Sequence, residues 1–109
     1  MKYGLDDAVI ARIQGVLSRF PQVDRAMLYG SRAMGNYRQG SDIDLTLDGG
    51  DDLELKTLYQ IMDEIDDLLL PYTFDLSVLR LINDHEVLEH IKRAGVVFYN
   101  RVNSTSPLT

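Results

Sequence analysis

The chain of 109 residues contains no cysteine, no long apolar run and no surplus of basic side chains. The missing cysteines exclude a disulfide framework, a cysteine-based zinc site and thiol redox chemistry. They are also compatible with a location in the reducing cytoplasm. No apolar stretch approaches the roughly 20 residues that cross a bilayer, and the first residues lack the basic-then-apolar order of a signal peptide. We therefore expect a cytoplasmic protein that does not bind a membrane.

Acidic residues outnumber basic ones by 17 to 11, which gives a net charge of -6 and a pI near 4.7. A domain that holds DNA or RNA through phosphate contacts usually carries the opposite charge, so direct nucleic-acid binding is not expected. This charge does not exclude a nucleotide ligand, because a bound cation can invert the local field where carboxylates cluster. The glycine spacings of P-loop and Rossmann sites are absent, so a nucleotide would have to be held around a metal ion.

Apolar residues make up 45% of the chain, enough for one core without disulfides or structural metal. Their spacing predicts three helices and four short strands. In chain order these lie at residues 5–20 (helix), 26–29 and 42–47 (strands), 55–69 (helix), 73–79 (strand), 84–95 (helix) and 96–99 (strand). We expect an α/β or α+β domain over residues 1–102, with a small mixed sheet flanked by helices, and a flexible tail at 103–109.

The most informative pattern is Gly30-Ser31, followed by Asp42-x-Asp44 and then by Asp75 on another predicted strand. Two carboxylates at i and i+2 of a strand point the same way, about 6 to 7 Å apart. Mg²⁺ prefers such oxygen ligands together with substrate phosphates, and Asp75 would complete a two-metal arrangement. Glycine lets the backbone approach phosphates, and Ser31 adds a hydroxyl and an N–H group. Gly-Ser or Asp-x-Asp alone is usually structural, but the combination predicts a metal and nucleotide site.

Other polar residues give weaker signals. Arg32 and Arg38 lie between the two motifs, where a guanidinium group could contact a triphosphate, although a surface arginine is more often only solvated. His85 and His90 are five residues apart on a predicted helix, whereas a spacing of four places two histidines on one face for zinc. We therefore assign both histidines a structural role.

Two segments resemble a known signature. Residues 30–33, Gly-Ser-Arg-Ala, and residues 41–44, Ser-Asp-Ile-Asp, are similar to the nucleotidyltransferase motif of the DNA polymerase beta superfamily. The spacing is typical of its minimal members, the MNT proteins encoded beside HEPN-domain toxins, and the resemblance covers nearly the whole chain. The chain departs from the family at Met34, where many relatives have a second basic residue. The resemblance implies a polymerase-beta-like nucleotidyltransferase fold.

The resemblance also implies roles for individual residues. The residues expected to bind the nucleotide are Gly30, Ser31, Arg32 and Ser41. The residues expected to ligate Mg²⁺ and act in catalysis are Asp42, Asp44 and Asp75. Such antitoxins transfer AMP from ATP to a tyrosine of the partner toxin, an RNase, and thereby inactivate it. We therefore expect ATP and Mg²⁺ as ligands and a hetero-oligomer with a HEPN-domain toxin.

Two other functions are compatible with the same residues. The chain could neutralise its partner by stoichiometric binding, with the site no longer catalytic, although the intact set of three aspartates speaks against this. It could also be a transferase that acts on a small hydroxylated molecule such as an aminoglycoside. Only a short stretch follows Asp75 to form an acceptor pocket, which favours a protein acceptor that supplies its own hydroxyl group.

Overall fold

The structure is a computed structural model that describes residues 1–101. The predicted tail at 103–109 and the predicted domain boundary at 102 lie outside these residues. In chain order the elements are α1 (Asp7–Ser18), β1 (Val23–Tyr29), α2 (Ser31–Met34), β2 (Ile43–Gly49), α3 (Leu55–Asp66), β3 (Phe74–Val78), a 3-10 turn (Leu79–Leu81), α4 (His85–Ala94) and β4 (Val96–Asn100). None of the helices in this described part is long and apolar enough to cross a membrane.

The four strands form one mixed sheet in the order β3-β2-β1-β4. Strand β1 pairs antiparallel with both β2 and β4, whereas β2 and β3 run parallel. The parallel pair is joined through α3, because parallel neighbours need a crossover connection. The predicted mixed sheet flanked by helices is confirmed.

The two faces of this sheet differ in polarity. Alternate residues of a strand point to opposite faces. Leu28 of β1 and Leu45 of β2 are fully buried and share one apolar cluster with residues of α1 and α3. The residues that alternate with them along each strand, such as Tyr29 and Asp44, project to the other face, where α4 lies against β1. One face of the sheet therefore builds the core, and the other carries polar side chains.

Several element boundaries differ from the sequence prediction, and two of the differences have a clear physical cause. Strand β1 begins at Val23, three residues before the predicted start, because Arg25 pairs with Asp48 of β2 across the strands at 2.7 Å. A charged residue that is paired across a sheet can continue a strand that the apolar pattern alone would end. Helix α3 ends at Asp66, before the predicted end at Leu69, which has a left-handed φ of 55°.

Candidate active site

Three neighbouring strands place polar side chains in one row on the open face of the sheet. In the pairing register Tyr29 of β1 lies opposite Asp44 of β2, and Asp44 lies beside Asp75 of β3. Directly paired residues project to the same face, and adjacent strands are about 5 Å apart. The alternating patterns that carry Asp44 and Asp75 therefore meet, as the sequence predicted.

Asp42 lies just before β2, two residues from Asp44, and its side chain is exposed. One of its carboxylate oxygens, Oδ1, accepts a short hydrogen bond from the hydroxyl group of Thr73. Thr73 precedes β3, so this bond ties the beginnings of the two parallel strands together. The bond places the carboxylate of Asp42 at the same end of the strands as Asp44 and Asp75.

The pKa of Asp44 reflects both its burial and the charges of its neighbours. Burial raises the pKa of Asp44 above its usual range, and the negative charges of Asp75 and Asp42 raise it further. The nearby His90 acts in the opposite direction. The three carboxylates therefore act on one another through space, and the ionised form of Asp44 is disfavoured without a cation.

This donor set suits a divalent cation that enters with its nucleotide. Carboxylate oxygens are the ligands that Mg²⁺ prefers, and a cation would remove the repulsion among them. Within residues 1–101, no three acidic or histidine side chains already surround a common metal position. Mg²⁺ usually takes only one or two carboxylates and completes its shell with phosphate oxygens and water. The residues present fit that mode of binding better than an all-protein metal cage.

The turn at Gly30-Ser31 follows β1 directly and packs against Asp44. Gly30 has φ 76° and ψ -158°, a region that glycine alone adopts readily. A Cβ atom built on Gly30 would lie only 2.2 Å from Oδ2 of Asp44. The backbone conformation therefore favours glycine, and the missing Cβ atom leaves room for the carboxylate of Asp44. Ser31 then begins the single helical turn of α2, beside the aspartates.

His90 of α4 also lies at this turn, which sequence analysis missed. The backbone N–H group of Gly30 donates a hydrogen bond of 2.8 Å to Nε2 of His90. The imidazole ring meets the ring of Tyr29 edge-on, with centroids 6.0 Å apart. The spacing of His85 and His90 argued only against a zinc site. No local pattern could have revealed a contact between residues 60 positions apart.

Hydroxyl groups lie next to the aspartates on the same face of the sheet. Thr46 and Ser77 are paired across β2 and β3, and the Ser77 hydroxyl donates a hydrogen bond of 2.9 Å to Oγ1 of Thr46. Burial raises the pKa of Tyr29, a hydrogen bond with Ser77 opposes this, and the charges of Asp75 and Asp44 add to the rise. Tyr29 therefore stays a neutral hydroxyl group at neutral pH.

Arg32 makes structural contacts beside the motif. Its side chain is buried, with only 2% of its surface exposed. Its guanidinium group donates two hydrogen bonds to the carbonyl oxygen of Ser41 and one to that of Tyr3. The rings of Tyr37 and Tyr72 lie 5.4 and 5.2 Å from it. These hydrogen bonds hold the segment before β2 to the N-terminal residues, and the expected contact of Arg32 with the nucleotide stays a prediction.

Ser41 and Arg38 form a turn of their own. The backbone N–H group of Arg38 donates a hydrogen bond of 2.8 Å to the Ser41 hydroxyl oxygen. The N–H group of Ser41 bonds in turn to the carbonyl oxygen of Arg38 at 3.0 Å. Ser41 thereby leads the chain into Asp42, and its predicted contact with the nucleotide stays a prediction.

A protein-family model and several solved structures are similar to this chain. The family described as "Polymerase beta, Nucleotidyltransferase" matches residues 11–104. A search among curated proteins found no significant match. Solved structures of toxin–antitoxin complexes are similar in fold, and the similarity is to their MNT antitoxins.

Three of these structures show the extent of the likeness. A toxin–antitoxin complex with AMP-PNP matches with a TM-score of 0.67 and 19% identity, over 92% of this chain and 77% of that chain. A complex of a tri-AMPylated HEPN toxin of Shewanella oneidensis with an MNT antitoxin gives 0.65 and 16%, over 92% and 76%. An MntA–HepT complex gives 0.65 and 17%, over 91% and 76%. At these identities the likeness is one of fold.

Proposed function

Because the chain belongs to the polymerase beta nucleotidyltransferase family, we propose that it transfers AMP from ATP to a hydroxyl group of a partner protein. The acceptor in this proposal is a tyrosine of a HEPN-domain toxin, which would make the chain an antitoxin. The observation that carries the proposal is the row of Asp44 and Asp75 on paired strands, with Gly30 packed against Asp44. This row places acidic oxygens directly beside the backbone of the glycine turn.

Each site residue has a defined task in this reaction. Asp42, Asp44 and Asp75 would hold Mg²⁺, which would supply positive charge where negative charge develops during the transfer. The turn at Gly30-Ser31 would orient the triphosphate through the N–H group and the hydroxyl group of Ser31. The acceptor oxygen forms a bond to the α-phosphorus while the bond to pyrophosphate breaks, and Asp75 takes up the hydroxyl proton. The products are the adenylylated acceptor and pyrophosphate.

Several features support a macromolecular acceptor. Asp75 is exposed and lies on β3, an edge strand of the sheet, so a side chain of a second protein can reach it. Asp42 is exposed at the same end. Similar structures are complexes of a toxin with an antitoxin, one containing AMP-PNP and another a tri-AMPylated toxin. These ligands and modifications belong to those complexes, and they make a HEPN-domain partner the first acceptor to test.

The proposal is tested by incubating the protein with Mg²⁺, a purified HEPN-domain toxin and ATP labelled at the α-phosphate. We expect label on the HEPN protein, and none when ATP is labelled at the γ-phosphate. Asp42→Asn and Asp44→Asn should abolish labelling. Asp63→Asn is the matched control, because it removes the same charge from an exposed position of α3.

The outcomes separate the proposal from its alternatives. Equal labelling by the wild type and the two site variants would contradict the mechanism. If the double variant Asp42→Asn/Asp44→Asn still protected cells from the toxin, neutralisation by stoichiometric binding would be the better account. Label that appears only on a small hydroxylated molecule such as an aminoglycoside would identify a different acceptor class.

A further inference from the structure

We propose that His90 is a positioning residue, which holds the Gly30-Ser31 turn in the conformation that receives the nucleotide. The inference rests on the proposed function, since it assigns the turn a part in ATP binding. It begins from one contact, the hydrogen bond of 2.8 Å from the Gly30 N–H group to Nε2 of His90. His90 reaches the site from α4, about 60 residues further along the chain.

Gly30 is held from two sides. Its φ of 76° and ψ of -158° lie in a sparsely populated region, and such conformations persist only where the surroundings impose them. The carboxylate of Asp44 packs against the Cα atom, at the place where a side chain would be. His90 holds the N–H group of the same residue. Loss of the imidazole would leave one of these two restraints, so the turn could relax toward other conformations.

His90 is itself firmly placed. The side chain of Asp84 caps α4 by accepting hydrogen bonds from the N–H groups of Glu86 and Val87, at 2.9 and 3.4 Å. After α4 the chain continues into β4, which pairs with β1 next to the turn. The ring of His90 also packs edge-on against Tyr29, the residue before Gly30. Helix α4 and strand β4 therefore fix the position of the imidazole ring next to the end of β1.

The chemistry of the contact defines which side chains could replace His90. Nε2 of His90 accepts this hydrogen bond, so a replacement side chain must offer an acceptor atom at the same place. Glutamine can place its Oε1 acceptor near the position of Nε2. Asparagine carries the same amide on a shorter side chain, and leucine has a similar size without any acceptor. This series separates the acceptor from the bulk of the side chain.

The experiment measures binding of a non-hydrolysable ATP analogue with Mg²⁺ by calorimetry, without any acceptor protein. We expect His90→Leu and His90→Asn to weaken binding roughly tenfold, the effect of losing one hydrogen bond to a partly buried donor. His90→Gln should bind within about threefold of the wild type if its amide restores that hydrogen bond. His85→Leu, at the exposed start of the same helix, is the control and should bind as the wild type does.

Thermal unfolding of the same variants separates positioning from general stability. A purely structural role would lower the melting temperature of the Leu and Asn variants and leave the affinity of the folded protein unchanged, which would overturn the inference. Equal affinities of the Gln and Asn variants would overturn it as well, even if the Leu variant did not fold. A wild type that binds no analogue would overturn the proposed function together with this inference. A wild type that binds while His90→Leu binds equally would overturn the inference alone.

Discussion

The substitution Gly30→Ala adds a single methyl group at the turn on which the candidate site depends. That methyl group would lie 2.2 Å from Oδ2 of Asp44 and would occupy a backbone conformation with φ 76°. The conformational strain costs about 1–3 kcal/mol, and forcing a methyl group into occupied space costs about 1–3 kcal/mol more. Asp44 is only partly buried, so its carboxylate can move aside and lower the second cost.

We therefore expect Gly30→Ala to lower the free energy of unfolding by about 2–3 kcal/mol. For a domain of this size that corresponds to a melting temperature lower by roughly 10–20 °C. The displaced Asp44 should also reduce AMP transfer at temperatures where the variant is fully folded. Urea and thermal unfolding measure the first effect, and labelling with ATP measures the second.

Two other glycines provide matched controls. Gly35 also has a positive φ, 86°, but a Cβ atom there would meet nothing within 4 Å. Gly35→Ala should therefore cost only the left-handed strain, about 1–2 kcal/mol, and leave transfer intact. Gly40 has open space and no positive φ, so Gly40→Ala should change stability by less than about 0.5 kcal/mol.

The reasoning can be refuted with a double-mutant cycle. Asp44→Ala removes the carboxylate that the new methyl group would meet, so Gly30→Ala should cost about 1 kcal/mol less in that background. An equal cost in both backgrounds would show that Asp44 does not occupy the space beside Gly30. A cost for Gly30→Ala no greater than that for Gly35→Ala would lead to the same conclusion.

Three further predictions follow from the site. Asp44→Asn should abolish AMP transfer and yet raise the free energy of unfolding by less than about 1 kcal/mol at neutral pH, since like charges at a solvated site repel weakly. Because the folded-state pKa of Asp44 is raised, that gain should shrink in urea unfolding series as pH falls through the raised pKa toward the ordinary value of 3.8. Arg32→Lys should lower the free energy of unfolding by about 2 kcal/mol, because an ammonium group cannot donate hydrogen bonds to both Tyr3 and Ser41 as the buried guanidinium group does. An unchanged midpoint of urea unfolding would contradict this. Chelation of Mg²⁺ with EDTA should stop AMP transfer without changing the melting temperature of the nucleotide-free protein. The reason is that no group of side chains among residues 1–101 already encloses a metal ion. A large drop in melting temperature would instead indicate a resident metal.

The strands and the acidic face could be predicted because their signals are local. The alternation through Asp44 and the alternation through Asp75 each assign a face to a carboxylate, and parallel pairing of β2 with β3 brings the two together. Gly30 follows the first buried strand at the point where a turn is needed. Local spacing and residue type are enough to propose a metal and nucleotide site from such patterns.

Other features depend on contacts between distant segments. Arg32 lies beside the motif, but its environment is made by Tyr3 and Tyr72, which the motif does not include. His90 becomes a site residue only because α4 packs against β1. The early start of β1 likewise requires the pairing of Arg25 with Asp48. The spacing and composition of a segment carry no information about contacts with residues that are distant in the sequence. These features can therefore be identified only in the three-dimensional structure.

The central claim is that Asp42, Asp44 and Asp75 bind a divalent ion against a nucleotide whose phosphates rest on the turn at Gly30-Ser31. A crystal structure with Mn²⁺ and a non-hydrolysable ATP analogue tests it directly, because the anomalous signal of manganese locates the metal independently of the protein model. The account predicts an anomalous peak within coordination distance of Asp42 and Asp44, with phosphate oxygens bonded to the metal and to Ser31. A peak at any other group of side chains, or phosphates bound away from Ser31, would contradict it.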